Sequence, residues 1–314
     1  MNWIGQLNQS IEYIESNLDK TIDMPTISRI AGCSPYHYQR MFSLIAEITL
    51  GEYIRKRRLT MAAYELQNSE VSVIETALKY GYDSPTAFTR AFSRFHGVTP
   101  RQAKKAGVSL KAYPKISFEI AVNGRGELKY RIEKKQGFRF VGIKETVYND
   151  GVNNFIRVPK MWEEAREKGM IEDIFKLSDG KLWGVMGALA NYTQDTVDYY
   201  IVATSDEAVP EDMAELYVEE GLWVIFSCYG RKNIQPVWKR IYGEWFPGSG
   251  YEHSGGAEVE WYSDGDLDAD DYLTEIWIPI REVKTVKGGE KYGTFKSDFD
   301  KEKRTELSAR QYSG

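Results

Sequence analysis

The chain has 314 residues, 42% of them hydrophobic and 28% charged, with a formal net charge of −5. That length suits two domains of roughly 100–200 residues each, and the composition is that of a soluble globular protein rather than a disordered or fibrous one. No apolar run approaches the ~18 residues that span a bilayer, and the N-terminus lacks the basic-then-apolar order of a secretory signal. Two cysteines, Cys33 and Cys228, cannot build a disulfide framework and fit a reducing cytoplasm. The three histidines, His37, His96 and His253, show no metal-ligand spacing with a cysteine. Without a Walker loop, a dinucleotide fingerprint or a nucleophile elbow, neither a metal nor a cofactor is expected.

Charge divides the chain. Residues 1–112 hold 14 Lys and Arg against 10 Asp and Glu, and the remainder holds 27 against 36. A basic first part suits contact with a polyanion. That part reads as helix throughout. Trp3, Ile4, Leu7, Ile11, Ile14 and Leu18 recur at helical spacing. "MPTISRIAG" is a short helix closed by Gly32, and Ser34 then caps a new helix with Pro35 at its first position. In that helix Tyr38, Met41, Phe42 and Ile45 share the core face, leaving Tyr36, His37, Gln39, Arg40 and Ser43 on an exposed face. A long helix is predicted over about 51–66, and "SVIETALKY" and Gly81 then lead to Ser84-Pro85 and another helix. There Phe88, Ala91, Phe92 and Phe95 point inward, and Thr86, Ala87, Thr89, Arg90 and Ser93 outward. "TPRQAKKAG" is a last short helix.

"SPYHYQRMF" (34–42) and "SPTAFTRAF" (84–92) share Ser, Pro, Arg and Phe at the same internal positions. Each belongs to a short helix, a tight turn and a second helix with a polar, basic outer face, which is a helix-turn-helix unit present twice. A 16-residue spacer helix measures about 24 Å. With its flanking turns it can set two recognition helices about one DNA turn, ~34 Å, apart, so one chain could read two successive major grooves. A helical bundle with an old duplication would explain the paired Phe42 and Phe92. It gives no reason for Arg40 and Arg90 on the polar side, where Arg suits guanine or phosphate.

Residues 1–107 resemble the DNA-binding domain of the AraC/XylS family of transcription regulators, in the branch where that domain comes first, as in Rob, MarA and SoxS. The resemblance rests on "SPYHYQRMF", "GEYIRKRRLTMAAYEL" and "ALKYGYDSPTAFTRAFSRFHGVTP". It implies double-stranded DNA as a partner, RNA polymerase as a second one, and a cytoplasmic location. It also implies base contacts from Tyr36, Gln39 and Arg40 in the first recognition helix and from Pro85, Thr86, Ala87, Thr89 and Arg90 in the second. At Pro85, Thr86 and Ala87 the chain departs from the glutamines and threonine usual there, so the second helix is expected to grip phosphate more than bases.

From about Ile116 the texture becomes strand-like, with "FRFVGIKETV", "LWGVMGALAN", "VDYYIVATS", "LWVIFSCYG", "AEVEWYS" and "YLTEIWIPI". Two amphipathic helices, "VPKMWEEAREKG" and "IQPVWKRIYGEW", lie between them, and Trp162 superposes on Trp238 at an offset of 76 residues. The order strand–helix–strand–strand therefore occurs twice, predicting an α+β domain with an antiparallel sheet after an all-α first domain. "FVGIKETV", "VPKMWEEA", "EEGLWVIFSCYG", "VWKRIYGEWFPGSGYE" and "YLTEIWIPI" resemble the GyrI-like effector-binding domain. The expected boundaries are 1–107 for the DNA-binding domain and 108–117 for a linker open to proteolysis. A GyrI-like domain over 118–284 and a polar tail over 285–314 complete the chain. The first domain is expected to fold alone.

The GyrI-like resemblance implies a ligand-binding Glu in the last strand, here Glu275, which lies in an otherwise apolar stretch. Trp183, Trp223, Tyr229 and Trp277 are the candidate aromatics around it. An ionised carboxylate among aromatic rings would take a cationic or aromatic small molecule, as a multidrug-binding domain does. Two alternatives stand beside this. Glu275 could face solvent or pair with a Lys or Arg, or it could serve a hydrolase as general base with a Tyr partner.

Overall fold

The computed structural model describes residues 3–119, 126–149, 153–193, 195–266 and 268–283, so the expected tail over 285–314 lies outside the described residues. Seven helices come first: α1 (Trp3–Ser16), α2 (Met24–Ala31), α3 (Pro35–Ala46), α4 (Leu50–Asn68), α5 (Val73–Lys79), α6 (Pro85–His96) and α7 (Pro100–Ala103). Side chains fix their starts. Asp23, Ser34, Thr49 and Ser84 each accept a hydrogen bond from the backbone N–H three residues on, and Ser72 with Glu75 and Thr99 with Gln102 form reciprocal capping boxes. The turn between α2 and α3 runs through Gly32 at φ 72°, a conformation in which a Cβ is strained. The two helix-turn-helix units are thus α2–α3 and α5–α6, joined by the 19-residue α4, about 28 Å long.

Strands β1 (Tyr130–Lys135) and β2 (Phe138–Tyr148) open the second part. Helices α8 (Asn153–Glu167) and α9 (Met170–Lys176) follow, then β3 (Met186–Ala190), β4 (Thr196–Thr204), β5 (Ala214–Val218) and β6 (Gly221–Tyr229). Next come α10 (Ile234–Arg240), a π-helical turn (Ile241–Trp245) and α11 (Phe246–Ser249). The strands β7 (Tyr251–His253), β8 (Glu258–Tyr262) and β9 (Leu273–Glu282) finish the described chain. The sheet is antiparallel, in the order β1-β6-β9-β8-β3-β4-β2-β5, with β7 beside β9. Its centre reads β6-β9-β8-β3-β4-β2, so the unit β2–α8–β3–β4 is repeated as β6–α10–β8–β9 about the β3–β8 pair.

The sheet curls strongly. The rings of Phe138 on β2 and Trp223 on β6 are 6.3 Å apart although four strands separate them in the order. The concave face encloses Phe140, Met186, Tyr200, Trp223, Val259 and Trp277. The opposite face carries the helices.

The helical and sheet parts form one compact unit over residues 1–282 and share a core. Leu7, Ile11, Tyr38 and Phe42 of the first helices belong to the same buried cluster as Val224, Phe226, Trp238 and Ile276. The second helix-turn-helix unit has its own cluster, built from Leu59, Ala63, Phe88 and Phe92. Residues 1–107 thus hold the second unit's core whole and share the first unit's core with the sheet part.

The expected linker is also partly packed. Arg57 donates to Tyr113 O (2.6 Å), Tyr113 N–H donates to Thr60 Oγ1 (2.9 Å), and just past the linker Asn8 exchanges two hydrogen bonds with the backbone of Phe118 (2.8 and 2.9 Å). Its polar composition reads as a tether, but its backbone is fastened to α4.

Candidate functional site

The repeated nine-residue pattern meets two different surroundings. On α6, Phe88 and Phe92 pack inward while Pro85, Thr86, Ala87 and Arg90 face solvent. Thr89 is half-buried, its hydroxyl donating to Pro85 O (2.8 Å). On α3 the corresponding face is closed by the sheet part. The Tyr36 ring lies against Tyr192 and His253 (centroids 4.9 and 4.3 Å apart), and its hydroxyl donates to Gly256 O at 3.3 Å. Gln39 is half-buried. His37, Arg40 and Ser43 are buried, which corrects their expected exposure. Periodicity identified the face that the helical core does not use, and another part of the chain covers it.

Arg40 is 5% exposed. Its Nε donates to Glu258 Oε2 at 2.8 Å, and its guanidinium lies over the rings of Trp238 and Tyr192 at 4.8 and 5.3 Å. Glu258 is fully buried on β8 and also accepts from the Tyr192 hydroxyl (2.7 Å) and the Tyr242 hydroxyl (2.5 Å). Tyr242 reaches it from the π-helical turn, an insertion that re-aims side chains. Burial alone would raise the Glu258 carboxyl. Arg40, with His253 and Tyr242, holds it well below the usual carboxylate range.

Two neutral imidazoles flank the pair. His253 Nδ1 accepts the Gly255 N–H (2.9 Å), so its proton sits on Nε2, 3.5 Å from Glu258 Oε1. His37 Nδ1 accepts the His253 N–H (3.1 Å), and burial pushes His37 down to about 3.

Beside this cluster is a cavity of about 800 Å³. Val158 and Trp162 of α8, Ile171 and Phe175 of α9, and Ile234 and Trp238 of α10 form its walls. Arg40, Ser43 and Leu44 of α3 close one side, and Leu189, Tyr199, Glu260 and Tyr262 form its floor. Glu260 is 7% exposed, with Oε1 accepting from Trp238 Nε1 and Oε2 from the Tyr262 hydroxyl, both at 2.7 Å. Among the described residues it has no cationic partner within 4.0 Å. Burial first, and then Glu260, pushes the Tyr199 and Tyr262 hydroxyls upward, so both remain donors. The Tyr199 hydroxyl accepts from Trp162 Nε1 (2.9 Å) and lies over Gly187, where a Cβ would stand only 2.3 Å from it. A buried carboxylate held by two neutral donors, among rings, attracts positive charge, and Arg40, Arg166, Lys176 and Arg231 also line the cavity.

None of the five residues expected around the ligand lines this cavity. Glu275, 9% exposed, lies on the concave face of the sheet. There Arg131 grips both its oxygens (2.6 and 3.0 Å), and Trp277 Nε1 donates to it (2.9 Å). Trp223 and Trp277 belong to the concave core. Tyr229 is exposed beneath the Lys129 ammonium, and Trp183 is exposed and edge-on to Phe175. Strand alternation correctly groups Leu273, Glu275 and Trp277, but it does not say on which side of the sheet the cavity lies. The signal that marks the cavity stands in "AEVEWYS": Glu258 and Glu260, two residues apart, put two carboxylates on the helix-covered face, with Val259 between them on the concave one.

Residues 128–281 match the GyrI-like small molecule binding domain, and residues 27–106 match a helix-turn-helix domain. The chain is 39% identical over 90 residues to the regulatory protein SoxS of Salmonella typhimurium, covering 29% of this chain and 84% of SoxS. It is 38% identical over 94 residues to the transcriptional activator AarP of Providencia stuartii, covering 30% of this chain and 70% of AarP. A solved structure of SAV2435 bound to tetraphenylphosphonium aligns with 49% of this chain and 94% of its own, at 22% identity and a TM-score of 0.45.

Proposed function

We propose a mode of action from what this chain is: it belongs to the AraC-type transcription regulators, and it carries a GyrI-like small-molecule binding domain. In this reading Tyr36, Gln39 and Arg40 of α3 and Thr86, Thr89 and Arg90 of α6 are the DNA-contacting residues, with one chain reading two successive major grooves. The effector occupies the cavity over Glu260 and is a bulky organic cation. RNA polymerase is the second partner and the cytoplasm the site of action. No helix among the described residues is long and apolar enough to cross a membrane. The single observation behind the ligand class is the Glu260 carboxylate, buried among Trp162, Trp238 and Tyr262 without a cation. The pairing of Glu275 with Arg131, away from the cavity lining, supports the sensor reading over the hydrolase alternative.

Tetraphenylphosphonium and tetraphenylborate have one shape and opposite charge, so calorimetry with the pair isolates the role of Glu260. The phosphonium should bind and the borate should not. Glu260→Gln keeps the shape, removes the charge, and should cost ~1.5–3 kcal/mol of phosphonium binding. Equal phosphonium affinity in both proteins, or a preference for the borate, would count against Glu260 as the charge-selecting group.

A further inference from the structure

Arg40 and Arg90 occupy the same place in the repeated pattern, yet Arg40 is buried and Arg90 faces solvent. We propose that the Arg40–Glu258 pair is an autoinhibitory latch that withholds the first recognition helix from DNA while the second stays available. The inference rests on the DNA-reading role of α3 and α6 proposed above.

The two uses of α3 exclude each other. A recognition helix in a major groove must show its outer side chains to bases and its N-terminus to phosphate. On α3 those places are taken. Glu258 holds Arg40, and Tyr192, His253 and Gly256 cover Tyr36. Glu252 Oε2 accepts the Ser34 N–H at the helix N-terminus (3.2 Å). Two carboxylates of the sheet part thus stand where anionic DNA would, one on the arginine and one on the end of the helix that attracts anions.

Opening the latch leaves Arg40 with a partner and Glu258 with part of its hydrogen bonding. When Arg40 leaves for phosphate or guanine, it exchanges one anionic or acceptor partner for another. Glu258 keeps the hydroxyls of Tyr192 and Tyr242, so its carboxylate stays hydrogen-bonded. The latch also touches the cavity. Trp238 carries the Arg40 guanidinium on its ring face while its Nε1 donates to Glu260. A cation drawn to Glu260 therefore arrives beside the ring on which Arg40 is stacked, and like charges repel.

The test uses the full chain and a pool of roughly 25-base-pair duplexes with a randomised centre, long enough for two successive major grooves. Wild type, Glu258→Gln and Tyr192→Phe each enrich duplexes, and hydroxyl-radical footprints are read on the products. Wild type should protect one groove. Glu258→Gln should protect two and bind roughly tenfold tighter, as expected when a closed state is released. Tyr192→Phe removes one hydroxyl from Glu258 and should bind roughly threefold tighter. It keeps the carboxylate, so it carries the test if the Gln variant fails to fold. Equal affinities with two-groove footprints in all three would overturn the latch and leave the DNA reading standing. No enrichment by any of them would overturn the DNA reading, and the latch with it.

Discussion

The two helix-turn-helix units start from the same sequence device and end in different states. Ser34 and Ser84 cap the second helix of each, Pro35 and Pro85 open it, and Phe42 and Phe92 anchor it. The second unit closes its own core and leaves the outer face of α6 to solvent. The first shares its core with the curled sheet and has the outer face of α3 covered as well. Local sequence thus decides that a recognition helix forms and which side is polar. Whether that side is available depends on Glu258, more than two hundred residues away in the chain.

The contrast should be largest in stability. Arg40→Ala leaves Glu258 buried with no cation, and should cost ~3–5 kcal/mol in denaturant unfolding. Arg90→Ala should stay within about 0.5 kcal/mol of wild type. Equal losses would mean that the burial of Arg40 carries no energetic weight.

Acid should loosen the cover of α3 next. His37 and His253 are held neutral by burial, with folded values below the ordinary 6.5, so protons favour the open or unfolded state. Burial is the largest cause; the Glu258 carboxylate beside both imidazoles favours protonation, and Arg40 and Arg281 beside His253 oppose it. Stability is therefore full above about pH 7 and falls as pH drops below 6.5, by of the order of 2 kcal/mol for His37 at pH 5, with His253 acting in the same direction. Glu258, depressed in the folded state, adds its own loss below about pH 4.5. Burial also lowers His96 in the second unit, while its hydrogen bond to Leu59 O works the other way. Unfolding midpoints from pH 8 to pH 5 test this, and a flat profile would contradict it.

For DNA, Arg90→Ala should weaken binding of an enriched duplex by ~1–3 kcal/mol in a mobility-shift titration. A wild-type affinity for this variant would remove α6 from the interface. The smallest effect belongs to Glu275. Its partner Arg131 is half-exposed, so Glu275→Gln should cost about 1 kcal/mol of stability or less and leave tetraphenylphosphonium affinity unchanged. A loss of phosphonium binding would return the ligand to the concave face of the sheet.

Much of this architecture is legible in the residues. The Ser-Pro starts, the glycine turns and the apolar periodicity of Tyr38, Met41 and Phe42 or of Phe88 and Phe92 locate the helices, because caps and core faces are local properties. The 76-residue offset finds the repeat in the sheet domain through Trp162 and Trp238, which wall the cavity from equivalent helices. Long-range relations are what the pattern does not carry. Glu275 and Glu260 both interrupt apolar strands, but they lie on opposite faces of the sheet. Only the packing of α8, α9 and α10 says which face holds a cavity. The polar side of α3 likewise gives no sign that β8 supplies it with a carboxylate.

The difference between the two units can be read directly from the free protein. Arginine modification by phenylglyoxal, followed residue by residue by mass spectrometry at neutral pH, reports guanidinium access without any DNA or effector. Arg90 should react at the rate of an exposed arginine, and Arg40 should be protected in wild type and become reactive in Glu258→Gln. Arg40 and Arg90 reacting equally in wild type would contradict the claim that the first recognition helix is held closed.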